Sequence, residues 1–182
     1  MILSAALKVF ARSGYEATDV DDIAREAQIG KGTIYRHYPS KRDLFVAVVD
    51  RGFDQLRCQM ENPRDKDASF EEMVRIGIKQ HVDFFINNPD YWRILMLEKP
   101  DCRLNLDREA VRLHQRFGLG LVEGIKKGIS AGYVKKIDPV LAAFSLMSMA
   151  AVVVEKHLQA KKDTRKKDIS SILDIFLRGI QK

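Results

Sequence analysis

Apolar residues recur at helical spacing along nearly the whole chain, and this periodicity is the feature that most limits the possible folds. Leu3, Leu7 and Phe10 form one stripe near the N-terminus, and Ile172 and Phe176 belong to another near the C-terminus. Residues three and four apart share one face of an α-helix, whereas a half-buried strand needs strict alternation. Such alternation is scarce, and no Asn-Gly or Asp-Gly hairpin signal occurs. The pattern predicts an all-α fold of about nine helices.

Helix-start and helix-stop residues divide the N-terminal part into short helices. Gly14 is expected to end the first helix, Asp19 to cap the second, and Pro39 to end the third. The tripeptide Gln28-Ile29-Gly30 is expected to form a short turn between the second and third helices. Two short helices joined by a tight turn predict a helix-turn-helix at about Asp19 to Tyr38.

The second helix of this motif carries side chains suited to DNA. In such a motif it lies in the major groove, where cations, hydroxyls and imidazoles contact phosphates and base edges. The candidate DNA contacts are Lys31, Gly32, Thr33, Tyr35, Arg36, His37 and Tyr38. Lys41 adds a charge beside the backbone amides at the start of the fourth helix, where a phosphate can be held. Core packing of Tyr35, His37 and Tyr38, and a solvated Arg36, remain the alternatives.

The flanking residues extend this pattern into a family resemblance. The matching segments are Ile2–Ala6, Phe10, Gly14–Thr18, Asp22–Ala24, Lys31–Tyr38 and Ser40–Leu44. Together they resemble the TetR family of bacterial regulators over about the first 46 residues, with agreement in order and spacing at many independent positions. The chain departs from the usual family pattern at Gln28, where glycine is frequent, and at Gly30, where serine is frequent. It also begins where family members usually have a few more residues, often basic.

The resemblance implies a homodimer that binds a palindromic double-stranded DNA operator with one recognition helix per subunit. By position, it adds Thr18 to the DNA-facing residues. It implies a DNA-binding domain over residues 1–46, and a helical domain over residues 47–182 that dimerises and binds an unknown small-molecule effector. The expected function is transcriptional regulation in the cytoplasm, with a repressor favoured over an activator. A helical interaction module without specific DNA binding is the alternative.

Two further sets of residues are candidates for the C-terminal domain. Pockets for small molecules are mostly apolar with a few polar groups. The candidate pocket residues are His81, Phe84, Phe85, Tyr91, Trp92, Met96, His114 and Phe117, which ordinary core packing would equally explain. The last two helices are apolar on broad faces, which predicts a four-helix dimer interface. Its candidate residues are Val140, Phe144, Met147, Val152, Ile172 and Phe176.

Composition and spacing argue against several other classes. The net charge of +6 is compatible with a polyanionic partner. Cys58 and Cys102 form no CxxC pair, so neither a disulfide framework nor a cysteine-rich zinc module is expected. No metal is expected, since no pair of histidines or cysteines has ligand spacing on one helix. No cofactor or catalytic activity is expected, since no phosphate-binding or dinucleotide glycine motif occurs. The uncharged stretch Val140–Val154 is shorter than the roughly 18 to 20 residues of a membrane span, and no signal peptide is recognised.

Overall fold

The computed structural model describes residues 1–60, 68–97, 120–160 and 163–181, and it confirms the all-α fold. The only bridge between extended residues in these ranges joins Val134 to Gln181. The helices are α1 (Ile2–Ala17), α2 (Val20–Ala27), α3 (Lys31–His37), α4 (Lys41–Met60), α5 (Phe70–Asn87), α6 (Pro89–Leu97), α7 (120–130), α8 (Pro139–Gln159) and α9 (Arg165–Ile180).

The described residues form two compact units. The N-terminal unit contains residues 1–55 and 88–97, so it includes α6 as well as the predicted DNA-binding domain. The C-terminal unit contains residues 56–60, 68–87, 120–160 and 163–181. Helix α4 is continuous across the division between Gln55 and Leu56. The sequence predicted a boundary between a DNA-binding domain and a C-terminal domain after residue 46. That functional boundary stays a prediction.

An aromatic cluster joins α1 to α4 in the N-terminal unit. The Phe45 ring meets Phe10 edge to face at 5.0 Å between centroids, and it meets Tyr15 in the same way at 5.1 Å. All three side chains are buried. Edge-to-face pairs place the positive edge of one ring on the negative face of the other. Ile23 of α2 and Ile34 of α3 are fully buried in this unit and give the two short helices their apolar anchors.

Helix α1 does not end at Gly14, as the sequence predicted, but is interrupted there. Gly14 has φ 76° and ψ 166°, a conformation that is easy only for a residue without Cβ. One more helical turn then runs to Ala17 before the chain becomes extended at Thr18. The interruption redirects the backbone just before the helix-turn-helix begins.

The C-terminal unit is built around α8. This helix packs against α5 and α9 and buries Ala143, Leu146, Ala150 and Val154. Within the described ranges, α8 is the one helix whose length and composition would allow it to cross a membrane. Its contacts with α5 and α9 bury one side of the helix.

Helix α6 approaches α4 closely through a glycine. A Cβ atom built on Gly52 would lie 2.7 Å from two ring carbons of Tyr91, and the Tyr91 side chain is itself buried. A contact that short is a steric overlap, so the hydrogen of Gly52 is what allows the Tyr91 ring to lie against α4.

We predict that Gly52→Ala destabilises the protein, although alanine is the better helix former. The methyl group forces the buried Tyr91 ring to move, and overpacking of this kind costs about 1–3 kcal/mol. Urea denaturation of the purified variant measures the change in the free energy of unfolding.

Gly77→Ala is the matched control, because Gly77 also lies inside a helix. A Cβ atom there would meet only the end of the Met60 side chain at 3.6 Å, an ordinary contact. This variant is expected to be stabilised by up to ~1 kcal/mol from helix propensity. Equal effects of the two substitutions would contradict the close approach of Tyr91.

Candidate nucleic-acid interface

The turn between α2 and α3 depends on Gln28 in the left-handed conformation, with φ 54° and ψ 43°. This geometry lets the Ile29 N–H donate to Ala24 O at 3.0 Å and the Gln28 N–H donate to Arg25 O at 3.1 Å. The last carbonyls of α2 are thereby satisfied, as in a Schellman-type helix end. The position where the family often has glycine is thus one that requires a positive φ, and this chain meets it with glutamine.

Helix α3 buries one side chain in the core of the N-terminal unit and leaves its other residues exposed or half-buried. Ile34 is 1% exposed, whereas Tyr35 is 41% exposed. Gly32, Arg36 and His37 are also exposed. The remaining candidates, Lys31, Thr33 and Tyr38, are half-buried. The seven predicted contact positions therefore form an accessible surface around a single buried anchor.

Lys31, at the start of α3, is paired with carboxylates of α2. Its Nζ donates to Asp21 Oδ2 at 2.8 Å and lies 3.6 Å from Asp19 Oδ1. The hydrogen bond to Asp21 is the main cause of a raised Lys31 pKa. Ion pairs this exposed are weak, so a DNA phosphate can compete for the ammonium.

Asp19 serves mainly as the cap of α2. Its carboxylate accepts the Asp21 backbone N–H at 2.9 Å, and this bond is the first cause of the lowered Asp19 pKa. The cap satisfies one of the amides that a helix leaves unpaired at its start. Sequence patterning identified the cap, but it missed the pairing of Asp19 and Asp21 with Lys31, because ten or more residues separate these partners.

Thr18 lies inside the unit. Its side chain is 3% exposed, and its hydroxyl donates to Gly14 O at 2.6 Å. The Thr18 side chain is therefore not part of the accessible surface of the unit. The hydroxyl closes the interruption in α1, a role that no local sequence pattern indicated.

The Lys41 ammonium is also directed inward. Its Nζ donates to Tyr15 O at 2.8 Å, Thr18 O at 2.9 Å and Glu16 O at 3.2 Å. It lies 4.6 Å from the centroid of the Tyr15 ring. The charge of Lys41 therefore sits at the end of α1, not in open solvent beside α4.

The candidate pocket residues fall in both units. His81, Phe84 and Phe85 are buried in the C-terminal unit, where the His81 and Phe85 rings meet edge to face at 4.9 Å. Tyr91 and Trp92 are buried in the N-terminal unit, and Met96 is half-buried there. His114 and Phe117 lie outside the described residues. Across the described ranges, no group of three or more metal-ligating side chains is placed to hold an ion.

The candidate dimer residues also divide into two groups. Val140, Phe144 and Val152 are 48%, 39% and 65% exposed, as an interface in the isolated protomer requires. Met147 and Phe176 are instead buried in the core of the C-terminal unit, so their side chains are unavailable to a partner. Ile172 is half-buried. Hydropathy alone could not separate the two faces of α8, because both are apolar, and it missed the exposed Ile175 of α9.

Comparison with known proteins agrees with the geometry of the N-terminal unit. Residues 2–48 match the family model described as bacterial regulatory proteins of the tetR family. The chain is 25% identical to the uncharacterised HTH-type transcriptional regulator YhgD of Bacillus subtilis, over 97% of this chain and 93% of that protein. It is 26% identical to the fatty acid metabolism regulator protein of the same bacterium, over 98% of this chain and 93% of that one.

A solved structure extends the likeness to the whole fold. The transcriptional regulator FadR from Bacillus subtilis, crystallised in complex with stearoyl-CoA, superposes with a TM-score of 0.87. The match covers 99% of this chain and 98% of that one at 23% identity. These relatives are named as regulators.

We predict that Gln28→Gly stabilises the protein by up to ~1 kcal/mol. Glycine removes the steric cost of the left-handed conformation, which for an ordinary residue is roughly 1–2 kcal/mol, and only part of this gain is offset by chain entropy. Thermal and urea denaturation give the change.

The matched control is Gln55→Gly, at an exposed position in the regular helix α4. The same exchange there is expected to destabilise the protein by roughly 0.5–1 kcal/mol, whereas Gln28→Gly is expected to stabilise it. A loss of stability in both variants would show that the turn does not hold Gln28 at positive φ.

Proposed function

We propose that this chain, which belongs to the TetR family of bacterial regulatory proteins and is a DNA-binding transcriptional regulator, acts as a cytoplasmic repressor that a fatty acyl-CoA releases from its operator. The observation that carries the DNA-binding part is α3, a seven-residue helix with Ile34 as its buried anchor and the predicted contact residues around it. The acyl-CoA part rests on two relatives, one named as a fatty acid metabolism regulator and one crystallised with stearoyl-CoA.

The proposed operator contacts lie on α3. Lys31 and Arg36 supply the cations for phosphates or guanine edges, and the Thr33 and Tyr35 hydroxyls supply hydrogen bonds. Gly32 is exposed with nothing within 4 Å of a built Cβ atom, so the backbone there can approach the duplex closely. His37 and Tyr38 extend the surface at the end of the helix. A palindromic operator would receive one such helix from each subunit of a dimer.

The proposed effector is a long-chain acyl-CoA. One relative of nearly the same length is a fatty acid metabolism regulator, and a FadR of the same fold binds stearoyl-CoA. An acyl chain needs an apolar lining, for which the buried Phe84 and Phe85 of the C-terminal unit are the candidates, with His81 against Phe85. These residues stay candidates for the lining.

The proposed release uses helix α4 to connect the two activities. Its residues up to Gln55 belong to the unit that holds α3, and its residues from Leu56 belong to the other unit. A ligand that favours one arrangement of α4 would change the spacing of the two recognition helices and so lower operator affinity. Coupling of this kind is typically worth 1–3 kcal/mol, or about 5- to 150-fold in affinity.

We predict that stearoyl-CoA weakens operator binding by at least about tenfold. The DNA probe is a duplex that the wild-type protein enriches from a random-sequence pool, and fluorescence anisotropy at fixed salt gives the dissociation constant. A scrambled duplex of the same length measures non-specific binding, which depends on salt and charge rather than on sequence.

Free coenzyme A and stearate are the matched controls, and neither is expected to reproduce the effect alone. Quenching of the Trp92 fluorescence, or a rise in melting temperature, reports binding of stearoyl-CoA independently of DNA. Binding of stearoyl-CoA with no change in operator affinity would disprove the release step, while equal affinity for the selected and scrambled duplexes would disprove specific recognition.

The proposed dimer interface is the exposed apolar face of α8, supplemented by α9. Val140, Leu141, Phe144 and Val152 are exposed on α8, and Ile175 is 63% exposed on α9. Exposed apolar side chains gathered on adjacent helices mark an association site in a protein of this size. Burial of both faces would create the four-helix arrangement expected from the sequence.

We predict that Val152→Glu weakens the dimer by at least about tenfold, because each copy brings a charge into an apolar two-fold contact. Sedimentation velocity over a concentration series measures the change. Tyr133→Glu is the matched control, since Tyr133 is as exposed as Val152, at 65%, but lies outside α8 and α9. A wild-type association constant for Val152→Glu would exclude this face.

A further inference from the structure

The first turns of α2 and α3 place a carboxylate and an ammonium side by side at the accessible surface. The Lys31 Nζ donates to Asp21 Oδ2 at 2.8 Å. The side chains of Lys31 and Asp21 are 41% and 54% exposed, so the pair contributes little to stability. The recognition helix therefore begins with a hydrogen-bond donor and an acceptor that both face outward.

The backbone holds both members of this pair in place. The Asp21 N–H donates to the carboxylate of Asp19, the cap of α2, at 2.9 Å. Lys31 follows the hydrogen-bonded turn at Gln28, and Ile34 anchors its helix in the core. Side chains that bind a ligand specifically need such a fixed support. The spacing of the donor and the acceptor is thus set before DNA arrives.

A phosphate is a poor partner for this pair. The Lys31 Nζ also lies 3.6 Å from Asp19 Oδ1, so two carboxylates stand beside the ammonium. A phosphate can compete for the ammonium, but both carboxylates repel it. The edge of a base pair is uncharged, and it can offer a donor to the carboxylate as well as an acceptor to the ammonium. The arrangement therefore favours a base edge.

The edge of a G·C pair in the major groove has the matching spacing. Guanine O6 is an acceptor and cytosine N4 is a donor. They are joined by a hydrogen bond within the base pair, so they lie about 2.9 Å apart. Lys31 and Asp21 present the complementary donor and acceptor at 2.8 Å. The N-terminal residues of a recognition helix are those that reach the base edges.

We propose that Lys31 and Asp21 together read one G·C base pair in each half of the operator, with Lys31 on guanine and Asp21 on cytosine. The inference rests on the DNA-binding function proposed above and deepens it. An ammonium has three donors, so one remains on Asp21 and two are available for guanine O6 and N7. The carboxylate has further lone pairs for cytosine N4–H, so the ion pair stays intact on binding.

The order of donor and acceptor determines which base pairs fit. A T·A pair also offers an acceptor and then a donor, but it lacks the second acceptor at N7 and places a methyl group beside O4. The reversed pairs, C·G and A·T, place a donor at the ammonium and an acceptor at the carboxylate. We expect wild type to bind G·C most tightly, T·A next, and the reversed pairs at least about fivefold more weakly than G·C.

The test uses a duplex that the wild-type protein enriches from a random-sequence pool, and every single-base-pair substitution of it made in both half-sites. Fluorescence anisotropy at fixed salt gives the affinities of wild type, Asp21→Ala and Lys31→Ala. Both variants are expected to reduce discrimination at the same G·C position by at least about threefold and to keep it elsewhere. Circular dichroism checks that they melt near wild type, as loss of an exposed pair implies.

Modified bases assign each side chain to its base. In N4-methylcytosine the methyl group blocks access to N4 in the major groove. It is expected to weaken binding of wild type by at least about threefold and to have no further effect on Asp21→Ala. The analogue 7-deazaguanine lacks the N7 acceptor, so it is expected to weaken binding of wild type and Asp21→Ala but not of Lys31→Ala.

Glu26→Ala is the matched control. It removes an exposed carboxylate from the same helix, but the partner of Glu26 is Lys8 of α1, at 3.2 Å. This variant is expected to keep the discrimination of wild type at every position.

Two outcomes would overturn the inference and leave specific DNA binding intact. In the first, Asp21→Ala changes the affinity for selected, substituted and scrambled duplexes by the same factor, so that the carboxylate acts through its charge alone. In the second, the Asp21 and Lys31 variants lose discrimination at different positions or at a position that is not G·C. If the wild-type protein enriched no duplex, the proposed function itself would be refuted, and the inference with it.

Discussion

A seven-residue helix cannot persist alone in water, because nucleating the first turn costs more than the few internal hydrogen bonds return. Helix α3 therefore depends on its surroundings, and the burial of Ile34 is the contact on which its position rests. Helix α2 has the same problem with eight residues and the same solution in Ile23. The aromatic cluster of Phe10, Tyr15 and Phe45 joins α1 to α4 within the same unit.

The polar part of the N-terminal unit has a separate task, which is to satisfy backbone groups where the short helices begin and end. Asp19 caps α2, Gln28 allows its last carbonyls to be bonded, and Thr18 and Lys41 close the turn after Gly14. A surface that binds DNA needs accessible side chains. The charged and hydroxyl groups of this unit therefore fall into two groups: those that satisfy backbone groups of the protein, and those that stay available to bind a ligand. Lys31, in a weak exposed pair, is proposed to belong to the second group.

The C-terminal unit solves a different problem with longer helices. Helix α8 has enough apolar surface to bury one side against α5 and α9 and still expose Val140, Phe144 and Val152 on the other. The relatives named as regulators of fatty acid metabolism match this chain over nearly its whole length. Their likeness therefore covers the part of the chain where the effector is proposed to bind, and not only the helix-turn-helix.

The amino-acid sequence by itself determined the helical class, the position of the helix-turn-helix and the resemblance to bacterial regulatory proteins of the tetR family, because helical periodicity, capping residues and short motifs are local features of a chain. Only the tertiary structure decided which apolar face of α8 is buried, so that Met147 lies inside and Val152 outside. The tertiary structure also decided the surroundings of Thr18 and Lys41, which are fixed by backbone carbonyls that become neighbours only after the chain turns at Gly14. Contacts between a side chain and a distant backbone leave no periodic trace in a sequence, because any residue can provide the carbonyl.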